Sequence, residues 1–286
     1  MLNKNIETFI GCDAEYEDAA AVIFGAPFDS TTSFRPGTRF GCRAMRSDSF
    51  GLETYSPYQD RDLTDIAVFD SGDIELPFGN PQTALEMIEE RADIILSDGK
   101  LPVMLGGEHL VTLGAVRAAW KKHPNLCIVH LDAHADLRND YLGARLSHAC
   151  VMRRCHDLLG DGRIYQLGIR SGAREEFEFA KQNHVEMHPF DLSAAGDIAK
   201  KLSGKPVYLT IDLDVLDPSI FPGTGTPEAG GATFTQLLTA ISQLTGGGMN
   251  IVACDVNELS PAYDISGVST AVACKVLREL LLSVVR

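Results

Sequence analysis

The chain is predicted to fold as a three-layer α/β sandwich, a parallel sheet with helices on both faces, and three observations carry that expectation. Short runs rich in Val, Ile and Leu recur along it, at residues 101–105, 126–131, 207–211 and 251–254. Segments with helical spacing separate them, and parallel neighbours joined by right-handed crossovers place helices on both faces of a sheet. The apolar runs also end abruptly in acids and histidines. That pattern suits strands covered on both faces whose carboxyl ends form a ligand-binding edge.

In chain order, residues 19–24 read as a first strand, followed by a polar loop at 29–37 and a helix over 38–50. Arg35, Arg39 and Arg43 lie among glycines, but neither G-x-x-x-x-G-K-[ST] nor G-x-G-x-x-G is present, so this loop is expected to line a substrate or serve the structure. A short strand at 66–69 ends near Asp70, Gly72 and Asp73. Asn80 and Pro81 then open a helix, since Asn caps and Pro suits a first turn, with Leu85, Ile88, Ala92, Ile95 and Leu96 on one face and Gly99 closing it. A strand at 101–105 and a helix at 110–122 lead to the central strand beginning at Leu126. The alternation continues with strands at 164–168 and 185–190, the strands starting at Val207 and around Ile251, and helices at 175–182, near Ile198, at 233–244 and at 268–285.

A length of 286 residues suits one α/β domain, and residues 1–286 are read as such. The net charge of −14 disfavours a nucleic-acid backbone as partner and favours a cationic substrate or a bound cation. Seven scattered cysteines without a C-x-x-C pair point to a reducing compartment, and Cys127 and Cys254, inside apolar runs, are expected to pack as small hydrophobes. The stretch from Met1 to Asn5 lacks the apolar core of a secretory signal, and no run reaches the roughly 18 residues of a membrane span. A cytoplasmic protein with no membrane partner is expected.

The chemistry concentrates at the strand ends. The run 126–131 turns into Asp132, His134 and Asp136, which at alternating spacing project the same way if the chain stays extended. Gly106-Gly107-Glu108-His109 follows the strand at 101–105, Asp212 and Asp214 end the strand at 207, and Asp255, Asn257 and Glu258 end the strand at 251. Independent acidic loops are the ordinary alternative, yet four strands ending alike argue for convergence. The ligand candidates His109, Asp132, His134, Asp136, Asp212 and Asp214 carry a formal charge of about −4, which two divalent cations would balance. Oxygen-rich ligation with two imidazoles points to a hard or borderline ion such as manganese, with zinc, cobalt and iron left open by ligand type. Two such ions roughly 3.5–4 Å apart lower the pKa of a shared water towards neutral, so hydrolysis is the reaction class expected. His148, a loop's length further on, is a candidate proton shuttle, and Glu258 a candidate carboxylate for a guanidinium.

Gly106-Gly107-Glu108-His109, Asp132-Ala133-His134-Ala135-Asp136, Ser147-His148, Asp212-Leu213-Asp214-Val215-Leu216-Asp217-Pro218 and Asp255-Val256-Asn257-Glu258, in that order over nearly the whole chain, resemble the ureohydrolases, the arginase and agmatinase family. Ser33-Phe34-Arg35-Pro36-Gly37-Thr38-Arg39-Phe40-Gly41 adds likeness to the agmatinase branch. The resemblance implies an eight-stranded parallel sheet in an arginase-like sandwich, assembled as a homo-oligomer, a trimer or hexamer. It implies two Mn2+ per subunit, with Asp132 and Asp212 bridging, His109 and Asp136 completing one ion, and His134 and Asp214 the other. Glu258 would hold the guanidinium, His148 and Asp136 would move protons, and Thr226 would line the pocket. The implied reaction is hydrolysis of agmatine to putrescine and urea. Other guanidino or formimino compounds are the alternative: guanidinobutyrate, formiminoglutamate or arginine. Leu137-Arg138-Asn139 departs from the arginase pattern that binds an α-carboxylate, which makes arginine the weaker candidate.

Overall fold

The strands form where the apolar runs stand, and the computed structural model describes residue 2 and residues 5–285. Met1, Asn3 and Lys4, part of the stretch read above for a secretory signal, and Arg286 lie outside the described residues. In chain order the elements are β1 (Ala21–Ala26), α1 (Gly41–Ser49), β2 (Tyr55–Ser56), β3 (Arg61–Asp62), β4 (Val68–Asp73), α2 (Pro81–Ser97), β5 (Leu101–Gly106), α3 (Thr112–Lys122) and β6 (Cys127–Leu131). There follow α4 (Val151–Leu159), β7 (Ile164–Ile169), α5 (Arg174–Lys181), β8 (Glu186–Pro189), α6 (Ala195–Lys201), β9 (Pro206–Asp212), α7 (Phe234–Gly246), β10 (Asn250–Asn257) and α8 (Val268–Val284).

Eight strands pair in parallel in the order β4-β1-β5-β10-β9-β6-β7-β8, while β2 and β3 form a small antiparallel hairpin apart from them. Side chains of the strands alternate between two apolar layers, as the period of two requires. Ala21, Ile23, Val103, Leu105, Val129, Leu209 and Val256 pack on one face, against α1, α6, α7 and α8. Val22, Phe24, Met104, Ile128, Tyr208 and Ala253 pack on the other, against α2, α3 and α4. The sheet is therefore buried on both sides, as the continuous apolar runs require. Asn80 Oδ1 caps α2 by accepting from the Thr83 amide at 3.2 Å, and Pro81 takes the first turn.

The differences from expectation are local and have causes. The second strand runs on through Asp70 to Asp73, beyond the predicted 66–69, because Arg46 neutralises both acids: its guanidinium donates to Asp70 at 2.8–3.1 Å and also to Asp73. Residues 38–40 form a 3₁₀ turn before α1. Helix α4 and the β2–β3 hairpin are absent from the sequence reading. All seven cysteines are free and buried, and Cys127 and Cys254 sit in the apolar layer. Among the described residues no helix is long and apolar enough to cross a membrane.

Candidate metal centre and cleft

The four central strands, β5, β10, β9 and β6, are consecutive in the sheet and parallel, so their carboxyl ends share one edge. The chain enters the edge between β5 and His109 by an unusually close turn: a Cβ on Gly107 would meet the Phe28 carbonyl oxygen at 2.0 Å. Gly107 in turn accepts a hydrogen bond from the Glu258 amide at 3.0 Å, which ties the turn after β5 to the end of β10. Asp136 and Glu258 both have positive φ, 53° and 68°, a backbone conformation that non-glycine residues keep only where the surroundings impose it.

All six ligand candidates meet at this edge. His109 Nδ1 lies 3.0 Å from Asp132 Oδ2, 3.3 Å from Asp136 Oδ2 and 3.3 Å from Asp212 Oδ2. His134 Nδ1 lies 3.0 Å from Asp214 Oδ2 and 3.5 Å from Asp132 Oδ1. Asp132 thus turns one oxygen to each histidine. Glu258 stands beside them, its Oε1 accepting from the His109 amide at 2.8 Å, and Thr226 Oγ1 donates to Asp214 Oδ2 at 3.3 Å. His148 occupies the wall: its amide donates to Thr31 Oγ1 at 3.1 Å, and its Nε2 is 3.2 Å from Ser33 Oγ. Cluster and wall enclose a cleft of about 200 Å³, lined by His109, His134, Asp136, His148, Thr226 and Glu258 among others.

The cluster holds more negative charge than the chain neutralises. Among the described residues no Lys or Arg pairs with Asp132, Asp136, Asp212, Asp214 or Glu258; their only cationic neighbours are imidazoles. Burial, with Asp214 and Asp132 close by, pushes Asp212 well above the usual carboxylate range. Burial, with Asp214 and Glu108, does the same to Glu258. Asp136 is pushed up to about 7 by burial and by Asp132. Burial would lower His109, but hydrogen bonds to Asp132, Asp136 and Asp212 outweigh it and raise it well above its ordinary value. Carboxyl and imidazole groups here retain protons where a buried site lacks other positive charge. Hard or borderline dications fit this donor set of oxygens and two imidazoles, and they supply the charge that the protons otherwise carry. His148 behaves differently: burial lowers it to about 4, so its ring is neutral at neutral pH.

Several supporting residues escaped the sequence reading. His130 is fully buried in β6, with Nε2 2.7 Å from Asp132 Oδ2 and Nδ1 2.9 Å from Gln166 Nε2. Gln166 Nε2 also donates to the Ala135 carbonyl at 2.7 Å, which fixes the amide and leaves His130 Nε2–H to donate to Asp132. His109 Nε2 meets Thr210 Oγ1 at 2.8 Å, and Thr210 meets Asn257 Nδ2 at 3.4 Å. Such outer partners hold a ligand's tautomer and angle. Glu108 is anchored away from the ligands, accepting from the amide and hydroxyl of Thr31 at 2.9 and 2.5 Å, which places the loop that meets His148. Arg138 lines the cleft rather than standing in solvent, with Nε 3.6 Å from Glu176 Oε2 and its guanidinium 4.8 Å from the Tyr141 ring centre.

The profile of the Arginase family matches residues 19–283. An agmatinase from Bacillus subtilis is 48% identical over 281 residues, 98% of this chain and 97% of that protein. A guanidinobutyrase from Pseudomonas aeruginosa is 35% identical over 94% of this chain and 87% of that one. The crystal structure of agmatine ureohydrolase from Thermoplasma volcanium superposes with a TM-score of 0.89 at 36% identity, covering 98% of this chain and 94% of that chain. A sheet of this order, a carboxylate-rich edge short of positive charge and likeness over nearly the full length lead to one assignment: the chain belongs to the arginase family and is an agmatinase-like ureohydrolase.

Proposed function

We propose that this enzyme hydrolyses agmatine to putrescine and urea at a centre of two manganese ions. The observation that carries the reading is the buried set of four aspartates and two histidines, with Glu258 beside it and no Lys or Arg pairing with its acids among the described residues. Asp132 and Asp212 would be shared between the ions, His109 and Asp136 would complete one, and His134 and Asp214 the other. The two oxygens of Asp132, one facing each histidine, support the sharing. When bound, the cations supply an acidified water and positive charge to offset the charge that develops on the reacting carbon's substituents.

The chain's own residues do the rest. Glu258, raised by burial and neighbouring acids, gains from a cationic partner, and the His109 amide, donating to its Oε1, fixes the carboxyl that would meet the substrate's guanidinium. Thr226 steadies Asp214 and lines the pocket. Asp136 accepts the proton of the attacking water and passes it to the departing amine, and neutral His148, between Thr31 and Ser33, exchanges protons with solvent.

Agmatine is favoured over arginine because Leu137-Arg138-Asn139 departs from the arginase pattern for an α-carboxylate, and the cleft's arginine, Arg138, turns its Nε towards Glu176 at 3.6 Å and its guanidinium towards the Tyr141 ring. The higher identity to an agmatinase than to a guanidinobutyrase supports the same choice. We also read the chain as one domain, working in the cytoplasm as a homo-oligomer, a trimer or hexamer. Urea release measured from agmatine, arginine and guanidinobutyrate with added manganese tests the substrate: kcat/KM highest for agmatine supports the reading, and a higher value for guanidinobutyrate or arginine overturns it.

A further inference from the structure

At the opposite edge of the sheet, where β7 and β8 begin, a second group of metal-type side chains comes together. His156 lies near the end of α4, Asp161 in the turn before β7, and His184 in the turn before β8. His156 Nε2 and His184 Nδ1 each lie 2.7 Å from the same oxygen, Oδ1 of Asp161. The three donor atoms all fall within 4.8 Å of one another. The rings are held in place by Phe179, which stacks on His184 at 4.2 Å and meets His156 edge-on at 4.9 Å. Gly162 donates its amide to the His184 carbonyl at 3.1 Å, so the two turns are already joined. His156 Nδ1 is buried without a partner, which leaves Asp161 and whatever sits beside it to govern that ring's tautomer.

We infer that His156, Asp161 and His184 form a second, exposed divalent-cation site that takes borderline transition ions of the zinc, nickel and copper class. Two neutral imidazoles and one carboxylate are the donor set such ions prefer, and carboxylate-rich ligation of the kind seen at the main centre is not needed. Zinc–ligand bonds of about 2.0–2.1 Å at tetrahedral angles put ligand atoms about 3.3 Å apart. The observed 2.7 Å contacts open to that spacing by small side-chain movement at Asp161, which is the most exposed member, at 65%. That exposure leaves the fourth position to water. Arg153 lies over Phe179 at 4.1 Å; His184 covers one face of that ring, so the guanidinium must cover the other. Bound zinc would clamp the turn before β7 to the turn before β8.

The test uses manganese-loaded enzyme dialysed against buffered, micromolar free zinc, with zinc counted per chain by elemental analysis and amide exchange of Gly162 followed. Wild type is expected to retain one more zinc than Asp161→Ala and His184→Ala, and zinc is expected to slow exchange at Gly162 in wild type alone. Comparison with the variants cancels any zinc taken up at the main centre. Asp161 is exposed, so its replacement leaves the core untouched, and matching melting curves check this. Equal zinc counts in all three proteins with unchanged Gly162 exchange would overturn the site and leave two histidines joined only through the Asp161 carboxylate.

Discussion

Two regions of the sheet bury aspartates at the carboxyl ends of strands, and they solve the resulting charge problem in opposite ways. At β4, Asp70 is fully buried and Asp73 stands exposed at the strand's end, and Arg46, itself buried, donates to both. At β6 and β9, Asp132, Asp136, Asp212 and Asp214 are buried with only imidazoles for company. In sequence the two places look alike, each an apolar run ending in acids. What separates a structural cluster from a reactive one is whether the chain brings its own permanent cation, because a buried carboxylate without one must find a proton or a metal ion.

The largest effects should come from exchanging an aspartate for its amide in each region. Asp212→Asn is expected to lower urea release by more than about 100-fold, beyond the usual loss for an outer-shell change, while the chelator-treated variant melts no lower than wild type, since a proton-holding carboxyl is replaced by a neutral group. Asp70→Asn should do the reverse. It leaves Arg46 buried with its main partner gone, destabilising by about 3–5 kcal/mol in denaturant melts, with kcat unchanged at temperatures where the protein stays folded. If both variants lost stability alike, the distinction drawn here would fail.

A smaller and sharper consequence concerns pH. Asp136, Asp212 and Glu258 hold protons in the folded, cation-free state to a higher pH than in the unfolded chain, and so do His109 and His134. His148, lowered to about 4, and His130, also lowered, work the other way below about pH 6.5, but the raised groups outnumber them, so the folded state binds more protons above about pH 4 and stability falls as pH rises through that window, to about 7 for Asp136. Asp132 is shifted downward, and its opposite contribution falls below about pH 4. Chelator-treated protein should thus melt at lower temperature at about pH 8 than at about pH 5.5, and manganese should reduce or invert the difference. A cation-free protein more stable at the higher pH would contradict the charge account. The smallest effect expected is from the supporting layer: His130→Phe, which fills space but cannot donate to Asp132, should weaken manganese affinity by about 10–100-fold, measured by calorimetry, with the fold retained.

The comparison also explains what was legible in the sequence. Strand ends carrying Asp132, His134, Asp136, Asp212 and Asp214 announce themselves because parallel strands put their tips on one edge whatever their detailed pairing. The supporting layer depends on register. His130 stands opposite Gln166 on β7 and opposite Thr210 on β9, and Asn257 opposite Asp212, pairings that no single strand's sequence contains. The same limit hid Arg46, whose partners lie 24 and 27 residues away on another element. Helix α4 was missed for another reason: it has no side-chain cap, and Arg153 and Arg154 interrupt its apolar face, although Val151, Met152 and Cys155 have the spacing of a buried stripe.

The central claim is that the acids of β6 and β9 exist to hold a pair of dications. Chelator-stripped protein titrated with manganese, with free ion followed by its paramagnetic resonance and urea release from agmatine recorded at every point, tests it directly. Uptake of two ions per chain with turnover rising alongside them is the predicted result. Saturation at fewer than two, or full turnover in the stripped protein, would contradict it.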